Sequence, residues 1–408
     1  MQSLGNQSRA SLVSWWSDSN PALKYGPTIN LHTLAKPLLR FMYHRQARKY
    51  IGNLVDITSE LAICSSYLGC KYVADRTKVM VLRRLGGISG SWEPIEGGGP
   101  STIHWASTFS ETWQLLESSN ADIRMETARV ITNLLRFDES LVVPVMELNL
   151  VEKLVSMLHD DNLYLVWKAL DALTAIALWP LGAKAVAVSD ALGYTEELLA
   201  SPYVGLCMPA AVLLGTVSCH SGLPAATVAV IAKSNPLTRI AAILVQGKCD
   251  ELGKDSWTVS YGLRGLQRMA HSADGAQRIM DTTILAPVVV QFLEPKPNYS
   301  LHQEMSCRLI GKLASHENVI PKLLELDTLP KMVQLLVTNP PIWVAYAAVA
   351  AMCQFSCWKV GAEAILETEG ALATISKLHY QNKHWNRERD ELLQNLGNCR
   401  PESTAPTA

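Results

Sequence analysis

The sequence predicts an all-α fold in which short helical units stack into an extended solenoid. A helix-closing leucine recurs at Leu116, Leu158, Leu199, Leu244, Leu293, Leu336 and Leu378, at intervals of 42, 41, 45, 49, 43 and 42 residues. A period in the low forties with helical patterning inside each unit is the mark of stacked-helix repeats. A second ladder runs in step with it. The equivalent position of each longer helix holds Asn133, Ala175, Thr216, Arg268, Lys312 and Gln354, spaced 42, 41, 52, 44 and 42 residues apart. The composition agrees: 48% of residues are hydrophobic, 18% charged and 7% aromatic. Aliphatic side chains therefore carry helix-on-helix packing, and a disordered chain is excluded. At 408 residues the chain is long for one core and natural for a quasi-one-dimensional stack.

In chain order, residues 1–13 are polar and expected to be loose, and residues 14–85 form an atypical helical cap over the first repeat. Within that cap Ile29, Leu31, Leu34, Leu38, Leu39, Met42 and Tyr43 recur at near-helical spacing, with a kink or restart near Lys36 because Pro37 interrupts the pattern. Further helices are expected over Asp56–Val73 and Asp75–Leu85. Residues 86–101, GGISGSWEPIEGGGPS, are too glycine-rich for a helix and read as a linker. Residues 102–380 hold the repeats: a helix ending in leucine, a polar turn such as HDDN or VTNPP, a longer helix, and a short third helix. The short helix is marked by GAKAVAV at Gly182, GAQRIM at Gly275 and GAEAIL at Gly361. Both ladders stretch beside Leu244, which predicts an irregular repeat with GKCDELGKDS (247–256) inserted. A C-terminal helix over 381–398 and a loose tail over 399–408 complete the chain.

Three helices per unit, together with LELDTLPKMVQLLVTNPPIWVAYAAVAAMCQFS (324–356), resemble the armadillo repeat family. The resemblance covers about residues 103–380, closest over 300–380 and loosest over 200–260, where Pro209 and Pro224 break the pattern. SWWSDSNP and FMYHRQA near the start are also similar to the opening of a set of armadillo-like fungal proteins of unassigned function. The resemblance implies a right-handed armadillo-like α-solenoid whose last helix in each unit lines a concave groove that binds an extended peptide. Importin-alpha-like members place Trp and Asn four residues apart in that groove. Here only Asn133 matches the Asn, and Arg129 stands where the Trp would be. Later units put Arg264 with Arg268, and Arg308 with Lys312, at the equivalent places, and Gln354 follows. Spacing of four keeps each pair on one helical face. Four cations on one wall favour an acidic or phosphorylated ligand, unless carboxylates such as Glu304, Glu317 or Asp274 neutralise them. Both readings stand at this level.

Catalytic chemistry finds no support. Gly97–Gly99 with Pro100 lack the lysine of a phosphate-binding loop, and Ser89 and Ser91 do not form a nucleophile elbow. Cys219 and His220 are adjacent, so their side chains point apart. Cys353 and Cys357 lie four apart but have no second Cys or His pair near, so they read as core cysteines rather than metal ligands. His379 and His384 read as exposed helix-end residues. No cofactor, metal or small-molecule substrate is expected. The nine cysteines form no CxxC pair, and the N-terminus lacks a signal-peptide pattern, so reduced, buried cysteines in a cytoplasmic or nuclear protein are expected. From Leu198 to Ala232 no Asp, Glu, Lys or Arg occurs. Its prolines and polar residues cut this run short of a membrane span, and a deeply buried middle repeat is expected.

Net charge is −1, but residues 1–85 carry +8 and the remainder −9. The basic segment is either a solvated face or a docking surface for an acidic partner or phosphates. The reading is a non-enzymatic scaffold that binds an extended protein segment. Two alternatives stay open: an armadillo scaffold attached to a membrane organelle, and a nucleic-acid-binding repeat protein. The last is disfavoured because stacking aromatics are sparse outside Trp15, Trp16, Phe41, Tyr43 and Tyr50.

Overall fold

The computed structural model describes Cys64, Leu68, and residues 73–91, 112–136, 139–201, 203–249, 256–296, 299–378 and 383–399. Expectations for residues 1–63, 65–67, 69–72 and 92–111, for the tail beyond 399, for His379 and for the His384 side chain lie outside them. Among the described residues every regular element is helical. Helix α1 (Asp75–Ser91) precedes a 3-10 turn (Trp113–Glu117) and α2 (Ala121–Leu135). Three-helix units follow: α3 (Val142–Glu147), α4 (Leu150–Ser156), α5 (Leu163–Ala177); α6 (Pro180–Val188), α7 (Ala191–Leu199), α8 (Val204–Ser218); α9 (Ala225–Ser234), α10 (Pro236–Cys249), α11 (Ser256–Met269). Three more units comprise α12 (Ala273–Asp281), α13 (Leu285–Gln291), α14 (Ser300–Ala314); α15 (Ile320–Glu325), α16 (Thr328–Val337), α17 (Ile342–Ser356); α18 (Lys359–Glu367), α19 (Ala371–Lys377) and α20 (Lys383–Asn398).

The third helices form an unbroken row, α1–α2–α5–α8–α11–α14–α17–α20, each packed on the next. The first and second helices form a separate layer, with α3 against α6, α10 against α13 and α16 against α19. This is an armadillo-like all-α solenoid. Its core is correspondingly one continuous apolar seam from Cys64 to Leu396.

Local chemistry explains the unit. Asn120 and Asn162 cap α2 and α5 by accepting backbone N–H bonds, and Ser272 caps α12. The bend between first and second helices uses left-handed backbone at Asn149, Asn235, Asp327 and Gly370, residues that tolerate it. Two residues after a third helix, a ring N–H reaches back one unit to a carbonyl at the end of the preceding third helix. Trp179 Nε1 donates to Leu135 O (2.7 Å), His220 Nε2 to Ala177 O (2.8 Å), His316 Nε2 to Ala270 O (2.9 Å) and Trp358 Nε1 to Ala314 O (2.8 Å). These bonds satisfy helix-end carbonyls that would otherwise lack donors. Gly182, Gly275 and Gly361 pack against the carbonyls of Ile176, Met269 and Phe355, leaving no space for a Cβ.

The structure corrects several boundaries. Helix α1 runs through Ser91, so residues 86–91 of the expected linker are helical. At Gly86 the Arg129 guanidinium lies where a Cβ would sit. Of GKCDELGKDS, residues 247–249 extend α10 and Ser256 opens α11, leaving 250–255 outside the described residues. The charge-free middle is only half buried. Nearly all of α8 is enclosed, whereas Thr227 is the buried residue of α9. The reason is position: α8 lies between α5 and α11 in the inner row, while α9 packs on α7 and α8 from outside. Ala225–Gln246 is long and apolar enough to cross a membrane by length and composition, but left-handed Asn235 breaks it into α9 and α10. Of the described cysteines, Cys64, Cys207, Cys219, Cys307 and Cys353 are buried, but Cys357 is exposed and Cys399 partly so.

Gly361→Ala places a methyl group against the Phe355 carbonyl and is expected to destabilise the last unit by about 1–3 kcal/mol. Thermal denaturation followed by circular dichroism should show a lower midpoint, whereas Gly193→Ala, with open space around it, should not.

Candidate functional site

The third helices share a register that decides what faces the groove. On α11, Trp257, Tyr261, Arg264 and Arg268 fall at intervals of four, three and four, so they lie on one face. On α14, Leu301, Met305, Arg308 and Lys312 repeat that register. A cavity of about 620 Å³ opens beside these two faces, and Arg136, Arg264, Arg268, Arg308, Lys312 and His271 are among its lining residues. The sequence-predicted Arg264, Arg268, Arg308 and Lys312 are thus brought together. Gln354 lines a neighbouring cavity of about 300 Å³, which shares Arg308 and Lys312.

Arg129 and Asn133 line neither cavity, which corrects the expected groove. Asn133 is buried and donates Nδ2–H to Gly86 O at 3.0 Å. Arg129 donates to Arg83 O at 3.0 Å and pairs with Glu126 at 3.0 Å, and Glu126 also holds Arg83 at 2.9 Å. Both side chains dock α1 onto α2. An extra helix before the first full unit takes up the donors that a free groove would offer a peptide.

Among the four clustered cations, two are paired. Arg308 bonds Glu304 at 2.9 Å, one helical turn away on α14, as one of the expected neutralising carboxylates. Arg268 pairs with Asp171 of α5 at 3.1 Å, an acid that inspection of neighbouring helices does not suggest. Glu317 and Asp274 form no ion pair among the described residues. Asp171 also accepts a bond from Tyr261 Oη at 3.1 Å and faces Arg136 at 3.6 Å. Burial alone pushes the Asp171 carboxyl up, but Arg268 and Arg136 together outweigh it and hold the group below its usual 3.8. Burial, then repulsion from Arg268, brings the Arg136 guanidinium down to about 10, still charged at neutral pH. Burial and the adjacent Asp171 push the Tyr261 phenol well up.

Arg264 is exposed, Lys312 is half-buried, and neither has an ion-pair partner among the described residues. Burial lowers the Lys312 ammonium pKa, as desolvation of a cation must. Five Lys and Arg side chains line the larger cavity against Glu304, with Asp171 behind them, leaving three positive charges uncompensated. Asp171, Arg136 and Tyr261 were missed from sequence. The available signal is that Asp171 is the one charged residue in LDALTAIA (170–177).

Groups that could suggest other chemistry are occupied. Cys219 Sγ donates to Gly215 O at 3.2 Å while the His220 ring serves Ala177 O; burial pushes the Cys219 thiol up to about 11. Cys353 Sγ lies within 4.8 Å of the Glu388 and Glu391 carboxylates. Burial, then those carboxylates, push its thiol up to about 12, so it stands protonated beside them.

No protein-family profile matches the chain, and no curated protein matches it. Among solved structures it is similar to an engineered protein, structural genomics target OR497, at 19% identity over 83% of this chain and 79% of that one, with a TM-score of 0.46. It is also similar to a second engineered protein, target OR329, at 20% identity over 61% of this chain and 97% of that one, TM-score 0.46. A designed armadillo repeat protein in complex with the peptide (KR)4 is similar at 15% identity over 71% of this chain and 99% of that one, TM-score 0.41. The architecture stands on this chain's own helix order and packing, since likenesses at this level carry no functional weight.

Asp171→Asn leaves Arg268 and Arg136 without their buried counter-charge and is expected to cost about 3–5 kcal/mol. Because the folded carboxyl titrates below its ordinary 3.8, its contribution is fully present above about pH 4 and is lost as pH falls through the folded pKa. Denaturation midpoints across pH 2–6 should therefore show a shallower acid decline in Asp171→Asn than in the parent.

Proposed function

We propose that this chain is a non-enzymatic interaction scaffold that holds an extended, acidic or phosphorylated segment of a protein partner across its third helices. The observation that carries this reading is the cavity with three uncompensated positive charges, two of them the unpaired Arg264 and Lys312. A carboxylate or phosphate entering there gains charge-assisted bonds from exposed Arg264 and half-buried Lys312, and the arginine can engage it through two N–H groups. The Asp171 network supports the cavity by fixing Arg268 and Arg136 in its wall. The surplus charge is local to one cavity and the chain as a whole carries −1. That favours a short acidic segment over a nucleic-acid backbone, which needs a track of cations.

The test is fluorescence anisotropy with a labelled (Glu-Ser)6 peptide and its form with every serine phosphorylated. The parent should bind both in a salt-sensitive way, and Arg264→Glu combined with Lys312→Glu should lose about a hundredfold in affinity, the equivalent of roughly 2.8 kcal/mol. Arg268 is left unchanged because a carboxylate there would face buried Asp171. Unaltered binding by a double variant with a native circular dichroism spectrum would remove the cavity as the site.

A further inference from the structure

The groove has two chemically different rims. The second residue of α5, α11, α14 and α17 is Tyr164, Trp257, Leu301 and Trp343. These side chains remain 69%, 44%, 42% and 49% exposed, although each belongs to a helix otherwise deep in the stack. On α8 the same position is Gly205, with open space above it, beside exposed Val204. An apolar, largely aromatic edge therefore runs along the starts of five successive third helices. The cations sit at the opposite ends of the same faces: Arg264 and Arg268 on α11, Arg308 and Lys312 on α14. With a rise of 1.5 Å per residue, Trp257 and Arg264 are about 10 Å apart along the helix axis.

The floor between the rims is filled. Because α8 offers Gly205, Pro209 and Val212 on this face, side chains from α5 and α11 meet above it. Trp167 and Trp257 pack edge to face with ring centroids 4.8 Å apart, and Trp257 lies 5.4 Å from Tyr261. Tyr261 and Arg268 in turn reach Asp171. The aromatic edge and the cationic cavity are thus connected through Trp257, Tyr261 and Arg268.

We infer that the partner segment carries acidic or phosphorylated residues in alternation with aromatic or large apolar ones. Successive side chains of an extended backbone point to opposite sides. A strand lying along the row of third helices sends one set toward Trp257, Leu301 and Trp343 and the other toward Arg264 and Lys312. The charged set supplies the attraction proposed above, on which this inference rests. The apolar set fixes register, since a shift by one residue would place carboxylates on the aromatic edge and apolar groups among the cations.

The experiment compares three labelled twelve-residue peptides by anisotropy: (Glu-Phe-Glu-Ser)3, its isomer (Glu-Glu-Phe-Ser)3, and (Glu-Ser)6. The alternating peptide should bind about tenfold more tightly than either of the others. Trp343→Ser should erode that advantage while leaving (Glu-Ser)6 affinity unchanged. Trp343 makes no ring contact among the described residues, so its replacement tests the edge without disturbing the floor. Equal affinities for the three peptides, with (Glu-Ser)6 binding still abolished by Arg264→Glu and Lys312→Glu, would overturn the alternation and leave the acidic groove standing. No binding of any peptide would overturn both. Tighter binding of a dT12 oligonucleotide with the same variant sensitivity would also overturn both, in favour of single-stranded nucleic acid.

Discussion

The structure depends on one repeated interaction, the packing of each third helix against the third helix of the next unit. A three-helix unit cannot bury its own apolar faces, so stability comes from the interfaces between units. Close approach at those interfaces is set by small groups at fixed places. Gly311 meets the Ala351 backbone between α14 and α17, and Gly265 meets Val212 between α11 and α8. The ring donors Trp179, His220, His316 and Trp358 add a polar link in the same direction, each closing the carbonyl end of the unit before it. Burial lowers the His220 pKa, so its ring stays neutral at physiological pH with the proton on the donating nitrogen.

The middle of the stack shows how that constraint shapes the surface. Small residues on α8 let side chains from α5 and α11 interact across the intervening helix. One acid, Asp171 on α5, then organises Tyr261 and Arg268 of α11 and Arg136 at the end of α2. A buried carboxylate between two guanidinium groups is costly to desolvate, and what it secures is geometry as much as stability. It offsets part of the positive charge of the cavity and leaves Arg264 and Lys312 without an ion-pair partner among the described residues.

Much of this architecture is legible in the sequence. The leucine ladder marks the ends of the second helices except at Leu244, which lies inside α10, and the glycines at 182, 275 and 361 open the first helices because a backbone carbonyl leaves no room there. The face carrying Arg264 and Arg268 follows from spacing alone. The roles of individual cations did not follow. Arg129 and Asn133 occupy the register of groove residues, yet they are bound to α1, a helix outside the repeat pattern. Residues 86–91 were misjudged because glycine content argues against an isolated helix, whereas Leu82 and Leu85 are buried and Gly86 packs against α2.

The sequence by itself determined the period, the helical class, the three-helix unit and which residues share a face. These are local properties, fixed by 3.6-residue periodicity and by residues that start, stop or bend a helix. The tertiary structure decided which charges survive as free charges. Asp171 and Arg268 are 97 positions apart, two units along the stack, and no local pattern connects them. It also decided that α8 is enclosed while α9 faces outward, although both are apolar. Burial here depends on which layer a helix occupies, and that follows from how the units stack rather than from the composition of any one of them.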